Sequence, residues 1–122
     1  MAKILMSINP IHVEKILTGQ KKYEYRKTKC KRTIDTIVIY ATYPIMKVVG
    51  EVAVKEVIED IPTYVWNKTK NESGIKHYFF NDYFKGRNKA VAYHLGKTLK
   101  YKTPKELIEY GVKAAPQSFV YI

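Results

Sequence analysis

The sequence has little of what several common classes of protein need. Among its 122 residues there is one cysteine, Cys30, which excludes an internal disulfide. Its apolar runs fall well short of the roughly 18 residues that a membrane-spanning helix needs. The start, MAKILMSINP, has too short an apolar run for a signal peptide. We therefore expect an intracellular, cytoplasmic chain with no membrane partner.

Motifs for metal binding, phosphate binding and common nucleophiles are also lacking. His12, His77 and His94 are not paired at the spacings of metal ligands, and the six glycines are scattered rather than gathered in a phosphate-binding loop. The sequence has no nucleophile elbow. It therefore predicts no metal and no cofactor. It also gives no support for nucleotide hydrolysis or for the catalytic arrangements of the common hydrolases.

Positive charge is what the chain has in excess. It carries 22 Lys and Arg against 11 Asp and Glu, a net charge of +11. Residues 20–32, the basic segment, hold seven cations and one carboxylate. Such a field attracts polyanions, and the candidate phosphate contacts are Lys22, Lys27, Lys29 and Arg32. Charge alone fits equally well a basic protein without such a partner, including a protein-interaction domain.

The order of elements predicts one mixed domain over residues 1–122. Apolar alternation or apolar runs predict strands over residues 3–8, 21–26, 34–41, 47–58, 89–102 and 118–122. Capping and stop signals predict helices over residues 10–18, 62–70, 77–84 and 103–111, the last starting with a capping box, TPKE. Antiparallel strands with few helical crossovers indicate an α+β fold with a curled sheet or barrel, not a doubly wound sheet.

The stretch GQKKYEYRK, residues 19–27, is the most unusual one. In a strand, Lys22, Glu24 and Arg26 share one face while Tyr23 and Tyr25 share the other. The simplest interpretation puts the tyrosines in the core and the charges in water. However, a carboxylate between two cations stays ionised, and such a charge is also useful for holding a ligand.

A second carboxylate, Glu51, lies on the strand predicted over residues 47–58. On its own face it is flanked by Val49 and Ala53. It is either a solvent-facing strand residue or a partly desolvated carboxylate suited to proton transfer. Gly50 beside it predicts a bend or bulge.

The stretch resembles the ASCH domain, a branch of the PUA-like superfamily with the motif G-x-K-x-x-E-x-R. Gly19, Lys21, Glu24 and Arg26 match that motif at its spacing. Further segments agree in order, so the resemblance covers essentially the whole chain: SINP at 7–10, YATYP at 40–44, VVGEV at 48–52, AVAYHL at 90–95 and PQSFVYI at 116–122. It implies a PUA-like β-barrel or curled sheet with flanking short helices, and a cleft beside the motif.

The resemblance also implies a partner. ASCH domains are thought to bind RNA, as regulators or coactivators, and some act on nucleic acids or nucleosides. One branch resembles amidohydrolases that deacetylate N4-acetylcytidine with a Lys that activates a Thr nucleophile. Glu24 stands here at the position of that threonine, so this route is closed. Hydrolysis would need water activated by Glu24 or Glu51, with Lys21 stabilising the oxyanion.

The expected cleft requires one departure from regular strand geometry. Strict alternation puts Lys21 and Glu24 on opposite faces, so both can line one cleft only if Lys21 lies in the turn after Gly19. Lys21 and Arg26 could then meet a phosphate or carbonyl oxygen, and Glu24 and Glu51 could accept from an exocyclic amine such as that of cytosine. The resemblance adds further ligand-binding candidates: Ser7, Thr42 and Gln117 for neutral hydrogen bonds, and Tyr43 for stacking on a base.

Besides a protein-interaction domain with an incidental basic face, two functions stay open at this point. The first is an RNA-binding module with a Lys/Glu/Arg cleft for a nucleobase or phosphate. The alternative is a small hydrolase, an amidohydrolase acting on a modified nucleoside or a ribonuclease, in which Lys21, Glu24 and Glu51 are catalytic.

Overall fold

The computed structural model describes residues 2–122. Its centre is one six-stranded sheet with the strand order β2-β5-β4-β3-β1-β6. The strands are β1 (Ala2–Ile8), β2 (Tyr23–Arg26), β3 (Ile34–Ala41), β4 (Lys47–Asp60), β5 (Ala90–Lys105) and β6 (Phe119–Tyr121). Three short helices flank the sheet: α1 (Pro10–Leu17), α2 (Pro62–Thr69) and α3 (His77–Tyr83). The sheet curls into a half-barrel, so the predicted α+β, PUA-like fold class is confirmed.

The curl has a local cause in the two longest strands, β4 and β5. Their register shifts at three places, and one shift lies between Val48 and Gly50. A β-carbon on Gly50 would come within 2.5 Å of the carbonyl oxygen of Leu99, so only glycine allows this approach. The bulge predicted at Gly50 is confirmed, and such bulges bend and twist a sheet.

The prediction of a helix over residues 103–111 is wrong. β5 continues to Lys105, which pairs with Val48, and a short 3-10 helix follows at Leu107–Tyr110. The capping box lies at Glu106 and Glu109 instead of TPKE. Pairing with β4 overrides the local start signal because a long neighbouring strand offers more hydrogen bonds than one capped turn.

Helix α1 connects the end of β1 to the motif strand. Asn9 caps it by accepting from the backbone N–H of Ile11 at 3.0 Å, and Pro10 occupies its first position. Gly19, with φ of +83°, ends the connection in a left-handed turn. Val13 and Ile16 bury one face of α1 in the main core, which is formed with β1, β3 and β5.

A second apolar cluster fixes α2 and α3 against β2 and β5. Its largest members are aromatic: Tyr23, Tyr25, Trp66, Phe80 and Phe84. Phe80 is 1% exposed, so helix α3 is held firmly in place, while its Tyr78 and Phe79 remain exposed. Among residues 2–122, no helix is long and apolar enough to cross a membrane.

Candidate functional site

A cavity of about 290 Å³ lies where α1, α3, β2 and the end of β1 meet. We call it the central cavity. This volume is at the lower end of the range for small-molecule sites, so it suits one compact group rather than a length of polymer. Its lining residues are Ser7, Asn9, His12, Lys21, Glu24, Tyr25, Arg26, Thr42, Ile75, Phe79, Phe80, Tyr83 and Phe84.

The structure brings five of the candidate site residues to this cavity: Ser7, Lys21, Glu24, Arg26 and Thr42. Lys21 precedes β2, as the sequence requires if it is to share a cleft with Glu24, and its backbone N–H donates to the carbonyl of Lys15 at 3.0 Å. The left-handed turn at Gly19 therefore places a lysine and a glutamate of one motif on the same side.

Lys21 is the most deeply buried cation of the site, with 2% of its surface exposed. Its Nζ donates to the carbonyl of Ser73 at 3.0 Å and lies 4.0 Å from Oε1 of Glu24 and 4.8 Å from the ring centroid of Tyr25. Burial lowers the pKa of Lys21 to about 8, although the Glu24 carboxylate opposes this shift. Lys21 can therefore release and take up a proton near pH 8.

Glu24 and Arg26 form a buried ion pair at the floor of the cavity. Oε2 of Glu24 accepts from Nε of Arg26 at 3.1 Å and from Nη2 at 2.8 Å, and Nη2 also donates to the carbonyl of Ser7 at 2.8 Å. Arg26 thus joins β2 to the end of β1. Within residues 2–122, Oε1 of Glu24 and the two N–H groups of Nη1 make no hydrogen bond, so these atoms are left for a ligand.

Loop 72–75 holds Lys21 in position from the other side. The backbone N–H of Lys22 donates to the carbonyl of Glu72 at 2.9 Å, and Nζ of Lys15 donates to that of Gly74 at 2.9 Å. A β-carbon on Gly74 would come within 2.6 Å of the Cβ of Lys21. The loop therefore closes directly on the lysine side chain, and glycine is needed for the contact.

His12 is a cavity residue that the sequence interpretation missed. Its Nδ1 is buried and has no hydrogen-bond partner among residues 2–122, and its ring packs edge-on against Phe79 with centroids 5.6 Å apart. Burial lowers the pKa of His12, and the Glu24 carboxylate partly offsets this. The available signal was its place in the first turn of α1, two residues after the SINP segment.

The aromatic wall of the cavity comes from α3, which the sequence predicted as a helix but not as part of the site. Phe79 and Tyr83 line the cavity, and Nζ of Lys27 lies 4.8 Å above the ring of Tyr83. The basic segment therefore passes the rim of the cavity at Lys27. The run HYFFNDYF was the available signal, because aromatic side chains on both faces of a short helix cannot all be buried.

Three further candidates lie elsewhere. Glu51 accepts a hydrogen bond from the hydroxyl of Tyr101 at 2.8 Å and does not line the cavity. Tyr43 follows Thr42 directly and is 80% exposed. Gln117 is exposed, between two residues whose carbonyls bind Ser7. Tyr43 therefore lies next to a cavity residue in the chain, and Gln117 lies between two residues that bond one, whereas Glu51 belongs to a separate group.

The candidate phosphate contacts follow the basic segment away from the cavity. Lys22 is half-buried, while Lys27, Lys29 and Arg32 are exposed. The hydroxyl of Tyr121 accepts from the backbone N–H of Arg32 at 3.2 Å, and the guanidinium lies 4.4 Å from the same ring. The far end of the segment is thus fixed to β6. Among residues 2–122, no cluster of three or more side chains is arranged to hold a metal ion.

The curled half-barrel with its flanking short helices has the PUA-like fold. The model of the ASCH domain family matches residues 6–115. The chain therefore belongs to the ASCH domain family, as the motif predicts.

A solved structure, ASCH from Zymomonas mobilis, shares the fold with a TM-score of 0.88 at 24% identity, covering 98% of this chain and 87% of that one. An ASCH domain-containing ribonuclease of Zymomonas mobilis is 27% identical over 92 residues, which are 75% of this chain and 62% of the relative.

Two proteins of Ureaplasma parvum contain similar segments. Large ribosomal subunit protein uL22 is 29% identical over 120 residues, and ATP synthase subunit alpha is 29% identical over 122 residues; each match covers 98% of this chain. These segments make up 39% and 15% of the two proteins. The chain thus spans less than two thirds of the length of the curated relatives it matches.

Proposed function

We propose that this chain is an RNA-binding domain that holds one nucleotide in the central cavity and the adjoining backbone on the basic segment. The observation that carries the proposal is the buried Lys21–Glu24–Arg26 group at the floor of an aromatic-walled cavity, whose rim is the start of a cationic surface. A ribonuclease among the relatives agrees with RNA as the partner.

The cavity has groups for the phosphate and for the base of a nucleotide. Nη1 of Arg26 and Nζ of Lys21 can donate to a phosphate or base carbonyl oxygen, and Oε1 of Glu24 can accept from an exocyclic amine. Phe79 and Tyr83 offer aromatic surface for the base. Ser7 has a smaller role than the sequence predicts, because its hydroxyl already donates to the carbonyl of Pro116 at 2.7 Å.

The surface outside the cavity would bind the neighbouring part of the same RNA strand. Lys22, Lys27, Lys29 and Arg32 would contact successive phosphates and release their counterions. Tyr43, next to the cavity residue Thr42 and 80% exposed, would stack on a neighbouring base. Gln117 would add a neutral hydrogen bond beside Ser7.

Titration with fluorescent single-stranded RNA at low salt tests this proposal. We expect the wild type to bind. Binding should weaken in Lys29→Gln because a positive charge is lost. It should also weaken in Glu24→Gln, for bases with an exocyclic amine, because one carboxylate oxygen acceptor is lost. Lys102→Gln, an exposed cation outside the basic segment, is the matched control. Absence of binding at low salt, or equal loss in the control, would overturn the proposal.

Hydrolysis is a second candidate function, favoured by one observation. Lys21, with a pKa of about 8 and 2% exposure, is partly neutral near that pH and lies 4.0 Å from a carboxylate. The neutral amine could accept a proton from an attacking water or ribose hydroxyl while Nη1 of Arg26 stabilises the oxyanion. The substrate would be RNA or an acylated nucleoside such as N4-acetylcytidine.

Incubation with both substrates separates hydrolysis from simple binding. If hydrolysis occurs, product formation should rise with pH through a pKa near 8 and disappear in Lys21→Met. Glu51→Gln should keep full activity because Glu51 lies outside the cavity. A wild-type protein that releases no product from either substrate class rejects this candidate and leaves RNA binding untouched.

A further inference from the structure

A second depression of about 300 Å³ adjoins the central cavity, between the outer faces of α1 and α3. We call it the neighbouring groove. It shares Asn9, His12, Ile75 and Phe79 with the central cavity, and the edge-on pair of His12 and Phe79 forms part of the wall between them. The two spaces are therefore adjacent compartments of one surface feature.

The groove exposes an unusual amount of apolar surface. Ile11 and Tyr78 are each 68% exposed, and Phe79 is 44% exposed. Large side chains that are this exposed and gathered in one depression are typical of a binding surface. A flat aromatic ring at the surface suits a base, since every base has a π-face and stacking tolerates sequence.

The positive charge of the groove indicates which kind of ligand it binds. Its eight described lining residues include two cations, Lys15 and Lys76, and no carboxylate. Nζ of Lys15 is fixed by its bond to the carbonyl of Gly74 at 2.9 Å and keeps further protons to donate. An apolar patch between two lysines fits an anionic, aromatic ligand better than an apolar peptide or an identical cationic copy of this chain.

We propose that the neighbouring groove is a second nucleotide subsite, which holds the residue next to the one in the central cavity. Its base stacks on Tyr78, and Lys15 and Lys76 contact the phosphate. This inference rests on the proposed RNA-binding function and adds to it: the domain binds two consecutive nucleotides, one in the central cavity and one stacked at the surface.

Calorimetric titration with short ligands tests the subsite. The probes are each common ribonucleoside 5′-monophosphate, the matching 5′-phosphorylated dinucleotides, and dinucleotides with one base removed from either position. We expect intact dinucleotides to bind roughly tenfold more tightly than their one-base forms, the size of one base–aromatic stack. In Tyr78→Ala the gain should disappear for one of the two one-base forms, the one that lacks the surface base, while the affinity for monophosphates stays unchanged.

Tyr64→Ala is the matched control, because Tyr64 is a 48% exposed tyrosine on α2 that lines neither space. The inference fails if intact and one-base dinucleotides bind alike, or if Tyr78→Ala and Tyr64→Ala behave alike, and in both cases RNA binding itself can persist. It also fails if Tyr78→Ala dissociates a dimer in sedimentation, since the groove would then bind a second copy. If no nucleotide or RNA binds at all, the proposed function falls as well.

Discussion

Lys21 combines a buried amine with few compensating bonds. One hydrogen bond to a carbonyl and a carboxylate at 4.0 Å replace the full hydration that the ammonium has in the unfolded chain. The folded state therefore favours the neutral amine more than the unfolded state does, which is what a pKa of about 8 instead of 10.5 means. A residue held at such a cost is a functional candidate.

The first prediction concerns stability against pH. Since the folded-state pKa of Lys21 lies below the unfolded value, the unfolded chain binds more protons between about pH 8 and 10.5, and folding is favoured as pH rises through that window. The free energy of unfolding of wild type, minus that of Lys21→Met, should increase by about 2 kcal/mol between about pH 7.5 and 9.5.

Urea denaturation of both proteins at the two pH values measures this difference. The same substitution at exposed Lys102 controls for the loss of a surface charge. A wild-type advantage that stays flat, or that shrinks as the pH rises, would show that Lys21 is not desolvated in the folded protein.

A second residue-scale prediction concerns Arg26. The side chains of Arg26 and Glu24 are 13% and 6% exposed, and Arg26 also bonds Ser7. Arg26→Ala leaves a buried carboxylate without its main partner, so we expect a loss of roughly 3–5 kcal/mol in the free energy of unfolding. Arg26→Lys should lose less, because it keeps the charge but cannot bridge both partners.

The exposed pair of Lys47 and Glu106 is the control for this experiment. Lys47→Ala should cost no more than about 1 kcal/mol, as surface pairs do. If urea denaturation shows similar losses in the free energy of unfolding for Arg26→Ala and Lys47→Ala, the prediction that Arg26 compensates a buried carboxylate is wrong.

At the scale of elements, loop 72–75 completes the side of the cavity on which Lys21 lies. Gly74 has φ of +71° and faces the Lys21 side chain, whereas Gly86 has φ of +78° and nothing within 4 Å of its missing β-carbon. Gly86→Ala should cost about 1 kcal/mol, for the left-handed backbone alone. Gly74→Ala should cost clearly more and also weaken nucleotide binding, because Lys21 must move.

Denaturation and the RNA titration applied to both variants measure these effects. Equal losses of stability, or a Gly74→Ala protein that binds nucleotides as wild type does, would show that the loop does not position Lys21.

Most elements were predictable because their signals are local and agree with one another. Asn9, Pro10 and Gly19 mark both ends of α1, and the Gly50 bulge follows from a glycine inside an apolar strand. The prediction of a helix over residues 103–111 was wrong because Lys105 pairs with Val48, which lies more than fifty residues earlier in the chain. Sequence-local signals carry no information about such a partner.

The site was only partly predictable for the same reason. One stretch of the chain supplies Lys21, Glu24 and Arg26, so their spacing was informative. His12 and Phe79 enter the cavity from two helices that only the folded chain brings together. A lone histidine and an aromatic run have many structural explanations, and nothing in their own neighbourhoods distinguishes a cavity wall from a core.

At the scale of the whole molecule, much of the net charge of +11 lies in the basic segment beside the central cavity. The basic segment runs from Lys21, under the cavity, to Arg32, which is fixed against β6 through Tyr121. A strand of RNA that enters the cavity would therefore continue over a row of cations. Encounter should be fast at low salt because such a field steers polyanions.

The last prediction follows from counterion release. Each neutralised phosphate of a single strand lowers the slope of log affinity against log salt by about 0.7. Contacts from Lys22, Lys27, Lys29 and Arg32 should therefore contribute roughly −3 to this slope, and Lys29→Gln should make it shallower by about 0.7. Lys102→Gln should leave the slope as it is. The measurement is the RNA titration repeated over a salt series, and a slope near zero in wild type would mean that the cavity binds its ligand without the basic segment.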